Sequence, residues 1–372
     1  MRIVCSKSDI SKGIQVVQNI VSGKTTLPIL SHILLETRGD RLCLSSTDLE
    51  TGIECLIPAK VVETGGITVP ARKIGDIVRE LPEAEVNLTV KDKMITLECR
   101  KGVFKISGLE KEDFPELPQL KKEKSFTLRQ DILKNMLKRT SFAVSHDEAR
   151  YALNGILFVI KENKLKLVST DGRRLAYIER KVQIPKDVEG EVIVPTKASN
   201  ELSRILDEGK GDVDIILGEN QIAFHLDDIM LVSRLIEGHF PDYQKVIPKK
   251  CKEKVILKRE PFLLALKRVS VLTSEKSSSV RLDICKNRIL LATAASEVGE
   301  AREELDLDYE GEEISVAFNP AYMLAFLKNE EEEEVCLELI DSLSPGLIRP
   351  VIADKKRSSE EKYLYVIMPM KL

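Results

Sequence analysis

Apolar residues alternate with polar ones in short runs along most of the chain. RLCLSST (41–47), KMITLEC (93–99), FKISGL (104–109), NGILFVI (154–160), KLKLVST (164–170) and QIAFHL (221–226) all follow a period of two. That spacing puts one apolar face on each run and predicts half-buried antiparallel strands, and LPILSHILLET (27–37) reads as a strand too. Two segments of the first third break the pattern. Ile10, Ile14, Val17 and Val21 recur at helical spacing, with Ser8 as the expected N-cap and Gly23 as the stop. Ile74, Ile77, Val78 and Leu81 form a second helical stripe, which Pro82 ends.

The pattern repeats. ITVPARKIGDIVREL around Pro70 returns as VIVPTKASNELSRIL around Pro195 and as VAFNPAYMLAFL around Pro320, 125 residues apart each time. Thr47, Thr170 and Thr293 each end an alternating strand, 123 residues apart. Phe114-Pro115, Phe240-Pro241 and Met368-Pro369 form a third series. Ordered markers at nearly one period indicate three copies of one α+β unit, each with antiparallel sheets packed on two helices. Polar stretches at 117–125 and 247–254 then divide the chain into 1–124, 125–251 and 252–372.

At 372 residues the chain exceeds one ordinary core, which fits several domains. No apolar run reaches membrane-spanning length and the start lacks a secretory pattern, so a cytoplasmic protein without membrane contact is expected. The seven cysteines show no C-x-x-C pair and read as reduced core residues.

A net charge of −3 confines any nucleic-acid contact to one surface. Arg72 and Arg79 share the face of their helix opposite its apolar stripe, and Lys197 and Arg204 occupy two positions of the next repeat, Lys197 matching Arg72 and Arg204 matching Arg79. Lys134 and Lys138 lie on another helix face, and Leu-Lys-Arg at 137–139 returns at 266–268. Such faces serve as solvated surface in many proteins. Their recurrence, with acidic residues gathered instead at Glu297, Glu300, Glu303, Glu304, Asp306 and Asp308, suits a surface that holds a phosphate backbone without reading bases.

LPIL (27–30), TVPARK (68–73), RYALNG (150–155), TDGRRLA (170–176), FPDY (240–243) and the terminal VIMPMKL together resemble the beta subunit of bacterial DNA polymerase III, the sliding-clamp family. The resemblance spans the whole chain. It implies a head-to-tail dimer of three-domain protomers, a six-domain ring lined by helices. That ring would encircle duplex DNA and tether the polymerase as a processivity factor.

By the same resemblance the DNA contacts fall on Lys24, Arg72, Arg150, Tyr151, Lys197 and Arg204, with Ala152 where relatives can carry a second tyrosine. A hydrophobic cleft for linear peptides would comprise Leu153, Thr170, Gly172, Arg173, Arg174, Leu175, Pro241, Lys245 and Val246. It would be completed by Val366, Ile367, Met368, Pro369, Met370, Lys371 and Leu372, beside the loop Ser344-Pro345-Gly346. A terminal strand docked only for stability is the alternative reading of that tail. Ring closure would set Lys101, Phe104, Lys105 and Ile106 against Val271, Leu272, Glu297, Glu300, Glu303 and Glu304. Implied partners are duplex DNA, the DNA polymerase III alpha subunit and other polymerases, the clamp loader, mismatch repair and other clamp-binding-motif proteins, and a second copy of the chain.

No metal or cofactor is expected. The four histidines stand apart in sequence, and phosphate-cradling and serine-elbow motifs are missing. Asp171-Gly172 reads as turn chemistry rather than a catalytic acid. Two other classes stay open on the residues alone: a peptide-binding scaffold without DNA, and a glycosidase-type enzyme with paired carboxylates.

Overall fold

The computed structural model describes residues 1–21, 27–118, 120, 124–209, 211–273, 279–293, 299–354 and 359–371. The first repeat holds β1 (Arg2–Ser6), α1 (Lys7–Val17), β2 (His32–Arg38), β3 (Arg41–Thr47), β4 (Thr51–Pro58), β5 (Lys60–Glu63), β6 (Gly66–Pro70), α2 (Ala71–Glu80), β7 (Glu85–Lys91), β8 (Met94–Cys99) and β9 (Gly102–Ser107). The second holds β10 (Ser125–Arg129), α3 (Gln130–Lys138), β11 (Gly155–Lys161), β12 (Lys164–Thr170), β13 (Arg174–Lys181), β14 (Gly190–Pro195), α4 (Thr196–Ile205), β15 (Asp212–Leu217), β16 (Gln221–Leu226) and β17 (Ile229–Arg234). The third holds β18 (Glu253–Lys258), α5 (Arg259–Ser270), β19 (Val280–Cys285), β20 (Arg288–Thr293), β21 (Arg302–Asp306), β22 (Ile314–Phe318), α6 (Pro320–Asn329), β23 (Glu334–Leu339), β24 (Gly346–Pro350) and β25 (Glu361–Ile367).

The alternating runs became strands as their apolar positions left water: Leu42 and Leu44 are fully inside, as are Ile95 and Leu97, and Leu165 and Leu167, while β3 and β11 are buried on both faces rather than half-buried. LPILSHILLET is an exception in its first half, where Pro28–Ser31 forms a 3-10 turn before β2 begins at His32. Proline fixes φ and lacks the amide that a ladder needs. The cap of α1 is Ser6 rather than Ser8: its Oγ accepts from the Asp9 amide at 3.0 Å, so the helix begins two residues earlier than the apolar spacing suggests. The helix ends at Val17, so Val21 lies beyond it, and Gly23 falls outside the described residues. Asn319 caps α6 from its side chain, with Pro320 in the first turn where no amide partner is lost.

The strand-to-helix step recurs at Pro70, Pro195 and Pro320, and Thr47, Thr170 and Thr293 each end a strand. The third marker series divides. Isolated bridges join Thr68 to Leu109, Ile193 to Ile236 and Ala317 to Met370, which makes Leu109, Ile236 and Met370 equivalent. Phe114-Pro115 and Phe240-Pro241 follow that bridge, whereas Met368-Pro369 precedes it, so their likeness is one of composition and not of position.

The chain forms two compact units. The first, residues 1–134 and 197–235, contains the sheets β5-β1-β7-β8-β9 and β10-β15-β16-β17-β4-β3-β2-β6, with α1 packed on α2. The second, residues 135–196 and 236–372, contains β14-β11-β12-β13-β25-β24-β23-β18 and β21-β20-β19-β22, with α5 packed on α6. Each eight-stranded sheet joins two repeats edge to edge, β17 on β4 in the first unit and β13 on β25 in the second. Among the described residues no helix is long and apolar enough to cross a membrane.

Candidate DNA and peptide surfaces

Helix α2 buries Ala71, Ile74, Gly75 and Val78 and leaves Arg72 and Arg79 exposed on its other side. Arg79 meets Asp76 at 3.2 Å, a solvent-screened pair. Helix α4 buries Ala198, Ser199 and Leu202, and its cations are already engaged. Lys197 donates to the Ile20 carbonyl at 3.0 Å and to Asp48 at 2.5 Å. Arg204 donates to the carbonyls of Gln15 at 2.9 Å and Val16 at 2.7 Å. Gln15 and Val16 lie in the last turn of α1, the negative end of its dipole, so Arg204 ties α4 to α1, whereas Lys197 holds the chain beyond the end of α1.

Arg150 and Tyr151 lie on a short 3-10 segment, Glu148–Leu153, where Arg150 donates to the Asp171 carbonyl at 2.9 Å and Tyr151 is exposed. Lys24 lies outside the described residues. Lys134 pairs with Glu208 and Lys138 with Glu331. The Leu-Lys-Arg recurrence does not put both arginines on a helix face: Arg139 is fully buried, and Arg268 is held by Glu303.

The segment Thr170–Arg174 is a tight turn. Thr170 Oγ1 donates to the Arg174 carbonyl at 2.6 Å and accepts from the Gly172 amide at 3.0 Å, and Asp171 accepts from the amides of Arg173 and Arg174. Gly172 sits at φ +86°, which glycine adopts without strain. Asp171 therefore performs turn chemistry. Its Oδ2 also fixes Arg174 at 2.9 Å, and that guanidinium lies 4.5 Å from the Tyr322 ring centre.

Beyond the turn, Leu175 faces Val366 across β13 and β25. Both belong to an apolar cluster with Tyr177, Leu347 and Leu364, against which Phe240, Tyr243 and Ile247 pack. Leu153, Thr170 and Ile367 are buried, while Pro241, Lys245 and Val246 are exposed. Met368 is 41% exposed, and its amide donates to the Arg173 carbonyl at 2.9 Å. Pro369 and Met370 are half-buried, the Met370 amide donates to the Ala317 carbonyl at 2.8 Å, and Lys371 is exposed. Leu372 lies outside the described residues. Sequence reasoning missed Tyr177, Ile247 and Tyr322. Tyr177 was reachable by stepping the period of two on from Leu175; Tyr322 was not, because only tertiary packing brings α6 to the turn.

Strand β9 ends a five-stranded sheet in the first unit, and β21 ends a four-stranded sheet in the second. On β9, Phe104 is 38% exposed and Lys105 is exposed, as is Lys101 just before the strand, whereas Ile106 is buried within the chain. Near β21, Val271, Glu300 and Glu304 are exposed and Leu272 is half-buried. Glu303 holds Arg268 through two bonds of 2.7 and 2.9 Å, which lowers its pKa below the usual carboxylate range. Glu297 lies outside the described residues.

The DNA polymerase III beta subunit family matches the chain as three consecutive domains: N-terminal over residues 1–118, central over 127–242 and C-terminal over 244–371. A beta sliding clamp from Chlamydia pneumoniae is 36% identical over 373 residues, covering 100% of this chain and 99% of the relative. That of Escherichia coli K12 is 34% identical over 378 residues, with both chains fully covered. Among solved structures, a Pseudomonas aeruginosa DnaN sliding clamp bound to griselimycin superposes with a TM-score of 0.94 at 33% identity over the full length of both. The Thermotoga maritima beta subunit superposes with a TM-score of 0.91 at 28% identity, covering 100% of this chain and 99% of its own. With three domain matches in family order and full-length relatives above 30% identity, the chain belongs to the DNA polymerase III beta subunit family, the non-catalytic beta sliding clamps.

Proposed function

We propose that this chain is the processivity factor of its replication machinery, a ring that encircles duplex DNA without reading sequence and tethers the polymerase. Three domains, 1–124, 125–251 and 252–372, make up each protomer, and two protomers close head to tail. The observation that carries the reading is the exposed basic side of α2, with Arg72 and Arg79 opposite a buried stripe, in a chain of net charge −3. Cations sorted to one surface hold phosphates loosely and leave bases unread. Arg150, Tyr151, Lys197, Arg204 and Lys24 would extend that lining.

The positions of β9 and β21 at the ends of their sheets support the ring joint. Phe104 on one side and Val271 with Leu272 on the other supply apolar contact, and Lys101 and Lys105 oppose Glu300 and Glu304. The cluster around Leu175, Val366 and Met368 supports a cleft for linear peptides from polymerases, the clamp loader and mismatch-repair proteins, since methionine adapts to varied side chains. A cytoplasmic setting follows from this role.

Loading onto nicked circular DNA tests the ring. Protein retained at moderate salt should be lost when the circle is linearised; equal retention on linear and circular DNA would leave a peptide scaffold without topological linkage as the better reading.

A further inference from the structure

Among the described residues the turn beside the peptide cleft is built twice. In the first unit Thr47 Oγ1 donates to the Thr51 carbonyl at 3.0 Å and accepts from the Leu49 amide at 3.0 Å. Asp48 accepts from the amides of Glu50 at 3.0 Å and Thr51 at 2.7 Å. These bonds match those of Thr170 and Asp171 one for one, and Leu49 takes φ +76° where Gly172 takes φ +86°. The strands that follow match as well: Gly52 faces Val232 as Leu175 faces Val366, and the Arg234 amide donates to the Glu50 carbonyl as the Met368 amide does to Arg173.

A groove of about 1120 Å³ lies on this second turn, with Thr47, Gly52, Val232, Pro115 and Leu117 in its lining. One position differs in kind. Where β13 supplies the Leu175 side chain, β4 has Gly52, and the space is filled by Leu117: a Cβ on Gly52 would run into Leu117 Cδ2, with Cδ1 and Cγ at 3.3 Å. The segment carrying Leu117 is anchored at both ends. Leu109 exchanges hydrogen bonds with Thr68 at 3.1 Å, and Leu120 packs on Ile216, Ala223 and Val232.

We infer that this groove is a second copy of the peptide cleft, occupied in cis by the chain's own segment 114–118, with Leu117 over Gly52 as the seated side chain. The inference rests on the reading of the Leu175 cluster as a peptide cleft. Of the two described turns, only the one beside Leu175 is then open to partners.

The test uses the full-length protein and a labelled synthetic peptide with the sequence of residues 113–120, DFPELPQL. Leu117→Ser should bind about one equivalent more per protomer than the wild type, and adding Gly52→Leu should weaken that extra binding about tenfold or more by refilling the space. No additional uptake by Leu117→Ser, or uptake indifferent to Gly52→Leu, overturns the inference. Gly52→Leu alone should expel Leu117 and speed amide exchange at Glu116 and Leu117; unchanged exchange overturns it by a route that does not need the serine variant. Failure of the cleft reading looks different: the extra equivalent would appear in Leu117→Ser while the wild type bound no peptide at a site sensitive to Leu175→Asp.

Discussion

Arg139 and Glu330 meet at 2.9 Å with both side chains fully out of solvent. Glu361 takes another guanidinium nitrogen, and the Tyr363 ring lies 4.9 Å from the guanidinium carbon, its hydroxyl donating to the Arg139 carbonyl at 3.1 Å. Burial pulls the guanidinium toward losing its proton, but Glu330 and Glu361 outweigh that and hold its pKa above the ordinary value. Arg139→Ala would leave the buried Glu330 without its cation while Glu361 keeps only Arg180, and we expect a loss of about 3–5 kcal/mol in denaturant unfolding. A loss below about 1 kcal/mol would show that the carboxylates find other partners.

The basic helix residues should separate by experiment. Arg72→Ala should lower the salt dependence of DNA retention by roughly one ion without changing the melting temperature. Lys197→Ala and Arg204→Ala should do the same and also cost about 1 kcal/mol each, because Arg204 releases the last-turn carbonyls of α1 and Lys197 releases the Ile20 carbonyl and Asp48. Identical melting curves for all three would remove the structural role from the α4 cations.

Met368 lies at the surface of the apolar cluster while Val366 lies within it, so truncating them should have different effects. Met368→Ala should weaken partner-peptide binding about tenfold with little change in stability. Val366→Ala should cost about 1–3 kcal/mol of stability. Calorimetric titration alongside thermal melting reads both, and an unaffected peptide affinity in Met368→Ala would move the cleft elsewhere.

At the ring joint, Phe104→Ala should weaken the dimer by about 2 kcal/mol in sedimentation equilibrium. Acid should act on the opposite edge. The Glu303 carboxyl is lowered by Arg268, so its contribution is present above the ordinary glutamate value of 4.5 and is lost as pH falls through the folded value. Dissociation should therefore rise below that pH, and Arg268→Ala should move its onset upward; an onset that stayed in place would uncouple the pair from assembly.

The thiols should react in a set order. Burial pushes Cys5 up to about 12 and Cys43 and Cys55 up to about 11, so they stay protonated at neutral pH. Cys251 and Cys285 are only partly covered. A thiol reagent followed by peptide mapping should label these two first, and early labelling of Cys43 would contradict the packing of β3.

Most strands, the two helices of the first repeat and the 125-residue period were legible along the chain, because periods of two and 3.6 are local consequences of which side chains must leave water. The sequence by itself also determined the outward face of α2, since Ile74 and Val78 settle where Arg72 and Arg79 must point. Ser6 as the cap of α1 and the turn at Pro28 needed hydrogen-bond geometry that apolar spacing does not carry. Tertiary structure alone decided the rest. Arg139 reads like any surface cation until Glu330 and Glu361, nearly two hundred residues or more away in sequence, surround it. Lys197 and Arg204 look free until the end of α1 and the chain beyond it arrive beside them, and Gly52 looks like an ordinary strand glycine until Leu117 fills its place. Charge pairing and cavity filling join residues distant along the chain, so no local pattern could have announced them.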